Sequence, residues 1–184
     1  MWYWFLKFAF VGPALLLGYA PRWRGREHLP RSGAFVLAAN HTSVIETAIV
    51  PFAVRRRVTF VAKSKYYRGQ GAKGRLLAWF LKAIGQVPID PASAASAEPA
   101  LDAARGILRG GGVWGIFPEG TRSPDGRMYR GRTGAMRVAL PLGVPIIPAA
   151  VTGAHGSGPR WTWGKGTSQR ITVTYLPPLA TSPW

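Results

Sequence analysis

The chain has 184 residues, with 24 Lys and Arg against 7 Asp and Glu, a net charge of +17, 47% hydrophobic residues, 12% aromatics and no cysteine. This length suits one domain and excludes a multidomain machine. So much apolar material excludes a disordered basic tail, and the missing thiols exclude disulfides, cysteine nucleophiles and Cys-based metal sites. The charge calls for an anionic partner: phospholipid headgroups, phosphorylated substrates, an acidic carrier protein or nucleic acid.

Residues 1–21 are apolar apart from Lys7 and rich in rings. Their number is close to a bilayer span, but Lys7 and Gly12-Pro13 argue against a straight crossing. The segment reads as a helix or broken helix lying in one leaflet, Lys7 snorkelling to the headgroups, and no charged stretch precedes it as in a secretory signal. Arg22, Arg24, Arg26 and Arg31 follow and would keep this side at the cytoplasmic face of the cell membrane. Residues 22–184 then read as the catalytic-size domain, opening on a linker that runs from Arg22 to Ser32.

Beyond the linker, short apolar runs alternate with helical patterns. Strands are expected at Ala34–Ala39, Val58–Ala62, Val87–Ile89, Val113–Phe117, Val144–Val151 and Ile171–Leu176. Helices are expected at Val44–Val54, at Arg75–Ile84, around Leu101, Ala104, Ile107 and Leu108 up to Gly110-Gly111-Gly112, and at Thr133–Leu140. Strands separated by helices of this length imply an α/β layered fold, a sheet flanked by helices. The Ala/Ser-rich stretch Pro91–Pro99 reads as a surface connection.

Two stretches carry chemistry. Asn40-His41-Thr42-Ser43-Val44-Ile45-Glu46 lies where a strand passes into a helix. On an ideal helix His41 and Glu46 would face apart. With His41 in the turn and Ser43 as N-cap, Glu46 falls in the first helical turn and can reach back to the imidazole. A His backed by a carboxylate is a general base with a fixed tautomer. Ser43-Val44-Ile45-Glu46 is also a literal capping box, and the two readings stand side by side.

The second stretch, Phe117-Pro118-Glu119-Gly120-Thr121-Arg122-Ser123-Pro124-Asp125-Gly126, leaves a strand. Gly120 permits close backbone approach, Thr121 and Ser123 offer hydroxyls, and Arg122 offers a fork that fits phosphate oxygens. The plain alternative is a polar turn in which Glu119 and Arg122 pair.

Other signals are weaker. Gly69–Gly74 is formally G-x-G-x-x-G with Asp90 downstream, but the charged run Lys63–Arg68 separates it from its strand, against a dinucleotide site. His155-Gly156-Ser157-Gly158 lacks the first glycine of a nucleophile elbow and reads as a loop. His28, His41 and His155 are scattered, so no metal is expected. Arg55-Arg56-Arg57 reads as a solvated or lipid-facing helix end, and Trp161 and Trp163 as core or rim aromatics.

Together, Asn-His-Thr-Ser-x-x-Glu and Phe-Pro-Glu-Gly-Thr-Arg-Ser, with Gly85-Gln86-Val87-Pro88-Ile89-Asp90 and Val144-Pro145-Ile146-Ile147-Pro148, resemble the PlsC-like 1-acylglycerol-3-phosphate acyltransferase family over roughly Gly25–Val151. The resemblance implies a membrane-bound α/β domain with a mixed sheet. It would move a fatty acyl group from acyl-CoA or acyl carrier protein, as co-substrate, to a lysophospholipid hydroxyl, with no cofactor. His41 would deprotonate the hydroxyl and Glu46 would hold the imidazole. Arg122, with Gly120 and Thr121, would hold the acceptor phosphate, Glu119 would orient the hydroxyl or the loop, and Lys63 would add a phosphate contact.

Three features depart from that family. It usually has Asp where Glu46 stands, and an arginine where Pro91 follows Asp90; and it continues beyond the last strand with a further helical segment, which points to a chain shortened at its C-terminus. Two rival readings remain: a basic single-strand nucleic-acid binder, whose affinity would ignore His41, and a catalytically inactive lipid-binding relative.

Overall fold

The computed structural model describes residues 2–63, 71, 75, 86–89, 98–159 and 170–181. The expected helix Arg75–Ile84 apart from Arg75, the Gly69–Gly74 motif apart from Gly71, the Pro91–Pro99 connection up to residue 97, Lys65, Asp90, Trp161 and Trp163 lie outside the described residues. So does the side chain of Lys63.

The N-terminal segment is helical throughout: α1 (Trp2–Leu6), a π-helical turn (Lys7–Val11) and α2 (Gly12–Gly18). In an α-helix the Pro13 ring would meet the carbonyl of residue 9, and the wider π-turn ahead of it relieves that clash. The expected break is thus absorbed as a change of helical register. No helix among the described residues is long and apolar enough to cross a membrane.

Lys7 departs from the snorkelling expectation. Its side chain is 6% exposed, and its amine donates to the carbonyls of Pro51 at 3.0 Å and Val54 at 2.6 Å. Those carbonyls lie at the C-terminal end of a helix, α3 (Glu46–Phe52), where orphan acceptors and the helix dipole favour a cation. Burial lowers the Lys7 pKa to about 8. Leu15 enters the core as well, so the segment packs on the domain.

Seven strands form one sheet: β1 (Arg22–Arg24), β2 (Phe35–Ala39), β3 (Val58–Lys63), β4 (Gln86–Ile89), β5 (Val113–Ile116), β6 (Ile146–Thr152) and β7 (Thr172–Tyr175), in the order β1-β7-β6-β2-β5-β3-β4. All pairs are parallel except β6 with β7. The mixed α/β architecture agrees with the sequence reading. β1, in contrast, arises within the expected linker: Trp23 turns inward to donate its indole N–H to the Ile49 carbonyl at 3.0 Å.

Both faces are covered, as a largely parallel sheet requires. Period-two alternation in β2 sends Phe35, Leu37 and Ala39 to one side with Leu15, Ile49 and Val50, and Val36 to the other. On that second side lie α4 (Glu98–Arg109) and α5 (Gly134–Leu142), contributing Leu101, Ala104, Leu108, Ala135 and Val138.

Arg56 departs from the reading as a solvated helix end. Its guanidinium donates to the carbonyls of Gly33 and Gly111, the latter at 2.5 Å, and thereby joins the loops that lead into β2 and β5.

Candidate functional site

β2 and β5 are parallel neighbours at the centre of the sheet, with Ala38 opposite Ile116. The two motifs follow directly, so the register alone brings them together at the carboxyl edge, where α/β sheets place their ligands.

The first turn is fixed by Asn40, whose side-chain amide accepts from the Val151 N–H at 2.7 Å and donates to the Val151 carbonyl at 3.0 Å. It thereby continues the ladder to β6 for one more step and sets the start of the turn. His41 follows with its side chain 15% exposed, and its Nδ1 lies 2.8 Å from Glu46 Oε2. A carboxylate only accepts, so Nδ1 carries the shared proton and Nε2 of the neutral ring keeps a lone pair. Nε2 has no hydrogen-bond partner among the described residues and is not enclosed.

Glu46 is fully buried at 0% exposure. A bare carboxylate there would be prohibitively costly. The Thr42 backbone N–H at 2.8 and 3.0 Å and the Thr42 hydroxyl at 2.6 Å join His41 in satisfying it. The capping-box alternative is not realised with Ser43: the residue before the helix is Ile45, and it makes no side-chain cap. Glu46 reaches back to Thr42 and His41 instead, so its carboxylate serves both the turn and the ring.

Glu119 is buried too, and both of its oxygens accept backbone N–H groups, from His41 at 2.9 Å and from Tyr129 at 3.2 Å. The Ser123 N–H donates to the His41 carbonyl at 2.8 Å. The two motif loops are thus laced together, and Glu119 holds the loops themselves. It makes no ion pair with Arg122, so the alternative of an internal Glu119–Arg122 pair is not what forms. Gly120 adopts a left-handed φ of +74°, and Gly120, Thr121 and Arg122 are exposed. Among the described residues Arg122 has no acidic partner. Lys63 ends β3, one strand beyond β5.

Sequence reading missed what supports the ring. His41 stacks on Phe117, centroids 4.0 Å apart, and Phe117 stacks on Phe60 at 5.4 Å. Phe60 lies over Gly115, where a Cβ would come within 2.5 Å of its ring. The available signal was Gly115 itself, an isolated glycine inside an apolar strand, which marks a close approach. Asp125 was passed over as well; it accepts from Ser123 Oγ, the Arg127 N–H and the Tyr129 hydroxyl, and these donors hold its carboxyl below the usual range, the Arg127 amide foremost. Among the described residues no group of three or more metal-ligating side chains is placed to hold an ion.

A family model described as "Acyltransferase" matches residues 20–152. The 1-acyl-sn-glycerol-3-phosphate acyltransferase of Limnanthes alba is 31% identical over 176 residues, covering 92% of this chain and 58% of the relative. The alpha form from Bos taurus is 29% identical over 168 residues, covering 90% and 56%. The chain thus spans less than two thirds of the length of these relatives. Among solved structures, the crystal structure of the 1-acyl-sn-glycerophosphate (LPA) acyltransferase PlsC from Thermotoga maritima superposes with a TM-score of 0.63 at 20% identity, over 95% of this chain and 70% of that one, which is a likeness of fold. Because the matched span contains the whole of both laced motifs and most of the chain, the protein belongs to the acyltransferase family.

Proposed function

We propose that this protein transfers a fatty acyl group from a thioester, carried by CoA or by acyl carrier protein, to the free hydroxyl of a lysophospholipid such as 1-acylglycerol-3-phosphate. The reaction would take place at the cytoplasmic face of the cell membrane, in phospholipid synthesis. The observation that carries this reading is the imidazole whose Nδ1 is bound by a buried carboxylate while Nε2 is left without a protein partner.

The acceptor hydroxyl gives its proton to Nε2 as its oxygen attacks the thioester carbonyl carbon. The resulting imidazolium is balanced by Glu46. When the tetrahedral intermediate collapses, the C–S bond breaks and the thiolate takes the proton from Nε2, leaving ester and free thiol. The nucleophile is the substrate's own alcohol, in keeping with a chain that has no cysteine. Arg122, exposed beside the laced loops, supplies a bidentate contact for the acceptor phosphate, aided by Gly120, Thr121 and Lys63.

Membrane association is supported by the rings and chains that the N-terminal segment turns outward: Trp2, Phe5, Phe8, Phe10, Leu16 and Leu17 are all exposed. An apolar patch of this kind marks an interaction surface, and an amphipathic helix with one lies in the plane of the interface.

The test is thiol release by purified protein given lysophospholipid acceptors and each donor type. Release that depends on acceptor and is lost in His41→Ala, with vesicle binding retained, supports the assignment. Equal release by both proteins rejects it.

A further inference from the structure

Between the N-terminal helical segment and α3 lies a cavity of about 440 Å³, partly open to the outside. Its walls include Tyr3, Val11, Tyr19, Val44, Ala48 and Phe52. The volume falls in the range of small-molecule sites, about 300–1,000 Å³. Lys7 also borders the space, but its amine is committed to the Pro51 and Val54 carbonyls. What remains for an occupant is hydrocarbon and ring, so the cavity suits a long unbranched alkyl chain and not an anion.

We infer that this cavity holds the hydrocarbon tail of the single-chain lipid acceptor, an inference that rests on the acyltransfer reading above. Two observations favour the acceptor over the donor. Ser43 and Val44, which border the cavity, follow His41 by two and three residues, and Ala48 and Phe52 belong to the same helix as Glu46. A chain lying there leads away from the imidazole along α3. The opposite wall is the segment that carries the exposed rings, and Val44 is itself 59% exposed. A tail already residing among lipids enters from that side without crossing water. The donor's chain arrives on a water-soluble, phosphate-bearing carrier. For that carrier the chain offers a different surface, the loop bearing exposed Arg122, Arg127, Arg130 and Arg132.

The measurement is equilibrium binding of monomeric 1-palmitoyl- and 1-octanoyl-glycerol-3-phosphate to the His41→Ala protein, in which no turnover intervenes and Glu46 keeps its Thr42 donors. The palmitoyl lipid should bind at least about tenfold more tightly, since each methylene removed from water adds to affinity. Ala48→Phe fills the cavity from α3 and Val11→Trp fills it from the other wall. Each should erase the preference while octanoyl binding persists, with the circular dichroism of the folded protein unchanged. A preference that survives in whichever variant folds overturns the inference. In the otherwise wild-type protein, Ala48→Phe should narrow the range of acceptor tails that turn over. Narrowing of the donor chain range with the acceptor range untouched overturns the choice of source. Absence of turnover in wild type alongside intact tail preference would reject the acyltransfer reading and leave the cavity assignment standing.

Discussion

The inner and outer halves of the site are built on opposite principles. Inside, Glu46 and Glu119 are buried and every oxygen is bonded, so two of the seven acids of a strongly basic chain fix an imidazole and two loops. Outside, Arg122 and its neighbours Arg127, Arg130 and Arg132 stand exposed on the loop that leaves the site. The inner half is finished before any ligand arrives. The outer half is incomplete without an anion, and the contrast separates a residue that should govern the chemical step from one that should govern binding.

The sharpest way to break that contrast is His41. Its replacement by Ala should lower kcat by about 10²–10⁴-fold or more, because a positioned base contributes that much, with little change in KM for the acceptor. Glu119→Ala comes next. It strands the buried N–H groups of His41 and Tyr129, each at about 1–3 kcal/mol, so the thermal midpoint and kcat should fall together. Arg122→Ala should leave the midpoint unchanged and raise KM for phosphorylated acceptors about 10- to 100-fold, the worth of a charged hydrogen bond of about 1.5–3 kcal/mol. If KM is unmoved for phosphorylated and unphosphorylated acceptors alike, the outer half has been misassigned.

Gly115→Ala tests the floor beneath the ring. The added methyl meets Phe60 at 2.5 Å, and overpacking of this kind costs about 1–3 kcal/mol, measurable by denaturant unfolding. Since Phe60 bears on Phe117 and Phe117 on His41, kcat should drop in the same variant. The smallest effect concerns Lys7. Its folded pKa, about 8, lies below the 10.5 of the free side chain, so between these values the unfolded chain binds more protons. Lys7's contribution to stability is therefore full above pH 10.5 and lost as pH falls toward 8. Comparison with Lys7→Met should show wild type gaining a few degrees relative to the variant as pH rises through that window.

Much of this was legible in the residues. Strands around Phe35–Ala39, Val58–Lys63, Val113–Ile116 and Ile146–Thr152 show as apolar runs because they are buried on both faces. Chemistry showed at His41, Glu46 and Arg122 because polar residues at the ends of such runs have few purely structural uses. What escaped depends on contacts distant in the chain. Arg22–Arg24 is too short to show periodicity and becomes a strand only by pairing with Thr172–Thr174. The direction of Lys7 depends on Pro51 and Val54, more than forty residues away, and an isolated reading of the first segment sends a lone cation to water. The stack of Phe60, Phe117 and His41 needs three strand ends in register, which no local pattern records.

Arg56 carries a consequence for the far end of the sheet. It clasps the Gly33 and Gly111 carbonyls where β2 and β5 begin, while His41 and Glu119 sit just past where those strands end. Two stiff parallel rods pinned at their base cannot slide past one another at their tips, so a guanidinium remote from the imidazole sets the alignment on which the lacing of the two motifs depends.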